Sequence, residues 1–223
     1  MAVRAAPKKF EMMDDLLERL GGIPASRICV SPPPGTATEK DLIRHQKKHG
    51  RLLELVEGTL VEKPMGFEQA FFAANIIGYL FIYLRSYPIG RVYAPDAMLR
   101  LLPGLVRLPD VCFLTNEQVA AYLERRGAIC HFAPALAVEV LSPSNTDKEM
   151  ERKRKEYFLG GTRLVWIVDE AKRTVEVWTS PDDCVTLTEE DTLDGGDLLP
   201  GFRVALKDIF VDPPKPAKRR GKK

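Results

Sequence analysis

ALAVEVLSPSNTDKEMERKRKEYFLGGTRLVWIVD, residues 135–169, reads as a strand, a helix and a second strand in succession. Its first seven residues are small or branched apolar side chains with one carboxylate, Glu139, near the middle. Such a run is the mark of a strand covered on both faces. Thr146 and Glu149 then have capping-box spacing and open a polar helix over Asp147–Leu159. Gly160-Gly161 stops it. RLVWIVD (163–169) follows as a strand that forms a hairpin with TVEVWTS (174–180).

Upstream, RVYAPDAMLRLL (91–102) and VRLPDVCFLT (106–115) read as two more strands, joined by a turn at Pro103-Gly104. LLELVEGTLVEK (52–63) alternates apolar and polar residues around Glu57-Gly58, the pattern of a β-hairpin. Phe67–Tyr87 is a long apolar helix ended by Pro88 and Gly90. A helix apolar on nearly all sides needs cover on several sides, from a sheet and from the N-terminal arm or a second subunit. The order helix, three strands, helix, strand pair predicts an α/β fold with a central mixed sheet flanked by helices. Residues 187–210 add a small β extension and a final turn. The first fifty residues read as a helical arm: a short helix over Phe10–Leu20, a proline-rich loop, and a helix from Glu39 to about His49 capped by Thr38 and Asp41. The main domain is then 51–210, and 211–223 is a basic tail marked by Pro213, Pro214 and Pro216.

With 223 residues, 45% of them hydrophobic and 29% charged, the chain is long enough for one domain with a sizeable core. The N-terminus lacks the pattern of a secretory leader. Cys29, Cys112, Cys130 and Cys184 are scattered, with no close Cys or His pairing, which argues against zinc and against a disulfide framework; a cytoplasmic location is expected. The longest apolar run, Ala70–Leu84, is 15 residues and contains Asn75 and Gly78, short for a membrane span, so a buried helix and no membrane partner are expected. The net charge of +2 conceals an asymmetry: six Lys and Arg lie in the last nine residues, and without those six the body stands at −4. The body is therefore not a broadly basic nucleic-acid binder. The tail reads as a solvated extension.

The chemistry gathers on a few side chains. A lone carboxylate inside an apolar strand costs several kcal/mol, roughly, unless something compensates it, so Glu139 calls for a cation, a hydrogen-bond network or a raised pKa. Asp110 follows Pro109 at the start of VCFLT, where a carboxylate is rigidly placed. Two carboxylates on neighbouring strands can converge on a hard divalent ion. Around the 147–159 helix, at roughly 100 degrees per residue, Met150, Lys153, Tyr157 and Phe158 fall on one face, while Lys148, Arg152 and Lys155 fall opposite. Lys153 is thus the lysine of the apolar stripe; it either snorkels out or reaches an acidic site. Glu68 opens the long helix, where glutamate is favoured in any case by the helix dipole.

The segments LLELVEGTLVEKPMG, RLPDVCFL and LAVEVLSPSNTDKEMERKRKEYFLGGTRLVWIVDEAKRTVEVW together resemble the Uma-two family, which is classed with restriction endonucleases in the PD-(D/E)XK nuclease superfamily. The resemblance covers roughly Leu52–Phe210. It implies a restriction-endonuclease-like core, with Asp110 as the motif Asp and Glu139 as the motif Glu. The common superfamily pattern has a Lys two residues after that Glu; here the place is held by Leu141, and the resemblance implies that Lys153 supplies the lysine from the next helix. Glu68 would correspond to the helix acid of many superfamily members; many family members have a His near this point and this chain has none. The implied activity is Mg²⁺- or Mn²⁺-dependent hydrolysis of DNA phosphodiesters, with Asp110 and Glu139 holding the ion, Lys153 positioning water and Glu68 assisting. The rival expectation is a catalytically inactive binding protein on the same fold, from a mobile-element or defence setting, which the acidic body favours. A homodimer built on the apolar helix is compatible with both.

Overall fold

The computed structural model describes residues 12–64 and 66–211. The chain begins with α1 (Met13–Arg19), β1 (Ile28–Cys29) and α2 (Glu39–His49). Asp41 caps α2 by accepting from the amide and hydroxyl of Thr38, at 3.0 and 2.6 Å. β2 (Leu53–Val56) and β3 (Thr59–Glu62) form the expected hairpin. Its two turn residues, Glu57 and Gly58, have φ of 49° and 73°, the pairing that a two-residue hairpin turn with the right twist requires. α3 (Phe67–Ser86) follows, then β4 (Gly90–Tyr93), β5 (Leu99–Leu102), β6 (Leu105–Arg107), β7 (Val111–Thr115) and α4 (Asn116–Glu124). The last third comprises β8 (Leu136–Val140), α5 (Asp147–Leu159), β9 (Leu164–Asp169), β10 (Thr174–Trp178), β11 (Cys184–Thr188), β12 (Thr192–Asp194), β13 (Arg203–Ala205) and α6 (Leu206–Ile209).

The main sheet is mixed, in the order β11-β10-β9-β8-β7-β4, and β8 and β9 are its parallel pair, connected through α5. A second sheet, wholly antiparallel, has the order β1-β3-β2-β6-β5. That second sheet departs from the sequence expectation. RVYAPDAMLRLL is not one strand but β4 and β5, in different sheets, and VRLPDVCFLT divides likewise into β6 and β7. Each division falls at a proline, Pro95 or Pro109, which has no amide to give a ladder and keeps its predecessor out of the helical region. The chain changes sheet there.

Three apolar clusters set the layers. Phe72, Ile76 and Leu80 of α3 pack with Val138, Trp166 and Phe210 on the outer face of the mixed sheet. Met150 and Tyr157 of α5 fill the space between the sheets, against Ala137 and Ile167 on one side and Val61 and Leu105 on the other. Leu42 of α2 covers the far face of the hairpin sheet, with Leu53, Leu55 and Leu60. The N-terminal arm is part of this packing: Leu16 and Leu20 lie in the same cluster as α5. By length and composition α3 could cross a membrane, but its inner face is buried on the mixed sheet. Phe10, expected as the first residue of the first helix, and residues 212–223 of the basic tail lie outside the described residues.

Candidate active site

Asp110 stands where the chain leaves Pro109 and enters the mixed sheet. Its amide donates to the carbonyl of Val138, the residue that Val111 faces in the β7–β8 ladder, at 2.9 Å. Asp110 therefore brackets Glu139, its amide bonding the backbone of Val138 and its Oδ2 that of Val140. Side chains alternate along a strand, so Asp110 shares a face with Cys112, and Glu139 with Ala137. Both Cys112 and Ala137 pack toward α5. The two acids therefore point into the layer between the sheets, as neighbours across the ladder.

α5 delivers Lys153 to the same layer. Its Nζ lies 3.2 and 3.1 Å from the two oxygens of Glu139, and Tyr157, one turn on, donates its hydroxyl to Glu139 Oε1 at 2.6 Å. Lys153 is 1% exposed, so it does not snorkel. The hairpin sheet supplies further charged partners. Glu54 of β2 lies 3.4 Å from Lys153 Nζ and 2.7 Å from Arg107 Nη1, and it accepts from the Leu108 amide at 3.1 Å. Arg107 also reaches Glu156 at 2.6 Å. Lys63, one residue past β3, places its Nζ 2.8 Å from Asp110 Oδ1 and also donates to the Leu108 carbonyl. Asp110 Oδ2 accepts from the Val140 amide at 2.7 Å.

The site is closed: Asp110, at 6%, is the most exposed of Glu54, Lys63, Asp110, Glu139 and Lys153. Burial pushes the Glu139 carboxyl above its usual range, against the pull of Lys153 and Lys63. Burial also opposes the charge on Lys153, but the carboxylates of Glu139 and Glu54 outweigh it and hold the ammonium protonated beyond the ordinary lysine range. Tyr157 is pushed far up by burial and by Glu139, so it remains a phenol that donates.

Glu68 is elsewhere. It is exposed on the first turn of α3. Its buried neighbour Gln69 turns inward instead, donating to the Leu141 carbonyl at 3.3 Å and to Glu170 at 3.0 Å. Leu141 packs against the cluster around α5. Glu54, Lys63 and Arg107 carry no comparable signal in the sequence. Period two along the hairpin places Glu54, Val61 and Lys63 on one face, which in an alternating strand reads as the solvent side.

What already occupies the pair bears on whether it suits a divalent cation. The Lys63 ammonium rests on a carboxylate oxygen and a backbone carbonyl, the donors that a hard cation prefers. Among the described residues no group of three His, Cys, Asp or Glu side chains gathers as a ligand cluster. Magnesium commonly takes only one or two carboxylates and keeps water for the rest. Asp110 and Glu139 fit that demand.

A family described as "Uma2: Putative restriction endonuclease" matches residues 40–207. The chain belongs to the Uma2 family. No curated protein matches it. Among solved structures, this Uma2 chain is similar to one titled as a putative nuclease belonging to DUF820 from Anabaena variabilis ATCC 29413. The TM-score is 0.64 at 16% identity, over 72% of this chain and 90% of the other. The fold is shared with that protein; the Uma2 match takes in every residue of the charged cluster between the sheets.

Proposed function

We propose that the chain is a divalent-metal-dependent endonuclease that hydrolyses DNA phosphodiesters at Asp110, Glu139 and Lys153. The observation that carries this reading is the placement of Asp110 beside Glu139, bonded to the backbone on both sides of it, with Lys153 Nζ about equidistant from both oxygens of Glu139. Asp110 and Glu139 would hold Mg²⁺ or Mn²⁺, which supplies a bound water of lowered pKa and neutralises phosphate charge. Lys153 keeps its proton and so acts as a fixed positive charge toward the reacting phosphate and water, not as a base. Tyr157 and Lys153 fix the Glu139 carboxylate in one orientation. Glu68, being exposed, takes no part beyond what its charge does at Glu170.

The test is cleavage of duplex, single-stranded and branched DNA with Mg²⁺ or Mn²⁺. Lys153→Met should slow cleavage by about two orders of magnitude or more, the typical loss on removing one preorganised charge donor. Glu139→Ala should abolish cleavage; parent-like cleavage by that variant sinks the assignment. One observation favours the rival, a non-catalytic binding protein: each oxygen of both acids already has a donor. Calorimetric titration with Mg²⁺ and Mn²⁺ that shows no binding would favour that reading.

We also propose that a second copy of the chain covers α3. Phe67, Phe71, Ala74, Gly78, Phe81 and Arg85 are all exposed and recur at alternating four- and three-residue steps, the spacing of a helix–helix contact line. An antiparallel copy brings Phe71 opposite Phe81, the small Ala74 opposite Gly78, and Phe67 opposite Arg85. The line is complementary to itself, as a two-fold interface must be.

A further inference from the structure

We infer that Lys63 is a tethered counter-ion at the metal position, so that Lys63 and a divalent cation exclude one another at Asp110. This rests on the reading of Asp110 and Glu139 as the metal-holding pair. The two buried lysines of the site are differently held. Lys153 lies in the middle of α5 and is bound by both oxygens of Glu139, with Glu54 close by. Lys63 lies past the end of β3, on the connection to α3, and its amide donates to the Leu52 carbonyl at 2.9 Å. The Lys63 backbone is thus anchored while its ammonium stands at the end of a four-carbon stem, so the ammonium and not the strand is what a cation would have to displace.

Its partners point the same way. Lys63 Nζ meets Asp110 Oδ1 and the Leu108 carbonyl, an oxygen set suited to a hard cation. Glu139 has its own ammonium in Lys153, so Lys63 serves Asp110. Without Lys63, the Val140 amide is the other hydrogen-bond partner that the structure gives to the Asp110 carboxylate. An ammonium and a dication at contact distance from one carboxylate oxygen repel strongly in so dry a place. The metal-free protein is thus kept closed and charge-compensated, and loading it requires displacing Lys63.

Titration of Mn²⁺ into the full chain, reading free Mn²⁺ by electron paramagnetic resonance, tests this without any nuclease assay. Lys63→Met should bind Mn²⁺ at least about tenfold more tightly than the parent, and Lys63→Arg no more tightly. Adding Asp110→Asn to Lys63→Met should remove the gain. In thermal unfolding, Lys63→Met should melt lower than the parent without metal and recover more on adding Mn²⁺. If Lys63→Met fails to fold, Lys63→Gln, which keeps an amide donor for the Leu108 carbonyl, decides. Should the neutral variants bind no more tightly than the parent while Asp110→Asn abolishes binding, the role of Lys63 is overturned and the metal pair stands. Should neither the parent nor any variant bind Mn²⁺, the metal pair falls, and Lys63 with it.

Discussion

At Glu139 and Glu54 the same ammonium, Nζ of Lys153, meets two carboxylates in different surroundings. Burial raises both. At Glu139 burial wins. At Glu54 it is outweighed by Lys153, Arg107 and Lys63, with help from the Leu108 amide, and the pKa falls from 4.5 to about 2. The two have opposite effects on stability. The folded pKa of Glu139 lies above its unfolded value, so its contribution is complete below pH 4.5 and disappears as pH rises through the folded value. The contribution of Glu54 is complete above 4.5 and is lost as pH falls toward about 2. Urea unfolding across pH should show a steep loss below 4.5, with Glu54→Gln removing about 3 kcal/mol of that limb. Glu139→Gln should leave the limb intact and remove only the change above it. An unchanged acid limb in Glu54→Gln would show that Glu54 is not held ionised by these partners. Glu139 was legible in the sequence because it interrupts an apolar run. Glu54, Lys63 and Arg107 were not, because in alternating strands a charge reads as the solvent face until a second sheet is known to cover it.

α5 is held at its start by the N-terminal arm. Arg27 forms two hydrogen bonds to Glu149, at 2.9 and 2.6 Å, and the Thr146 hydroxyl donates to the Gly21 carbonyl. Gly21 has φ +92°, and a Cβ there would lie 2.7 Å from the Glu149 backbone. The helix that carries Lys153 is thereby fixed from outside its own sheet. Arg27→Met leaves Glu149 buried without its cation and should cost about 3–5 kcal/mol in denaturant unfolding. Amide exchange should quicken in the first turn of α5 in that variant; if it does not, the arm does not hold the helix. Lys153 was legible in the sequence because helical geometry is local. The Thr146 cap is real, its hydroxyl accepting from the Glu149 amide at 3.1 Å. The Glu149 carboxylate goes instead to Arg27, a partner 122 residues away that no local spacing reveals.

For the whole molecule, the class and the mixed sheet were legible, since the β8–α5–β9 stretch states them in its hydrophobic pattern. The second sheet was not, because RVYAPDAMLRLL and VRLPDVCFLT each read as one strand, whereas at Pro95 and Pro109 the chain changes layer. The outer face of α3 carries the remaining expectation. Light scattering should give the mass of a dimer, and Phe81→Glu should return a monomer, since a charge opposite Phe71 cannot be buried there without large cost. A monomeric parent would remove the second copy from the proposal. The two-sheet arrangement also fixes an order of events at the ribosome. Glu54, Lys63, Arg107 and Asp110 emerge first, on surfaces that the partners from β8 and α5 will later close. Until Glu139, Lys153 and Tyr157 have been synthesised, the nascent chain carries half of a charged core facing water, so the step that completes the site is also the step that first makes its interior dry.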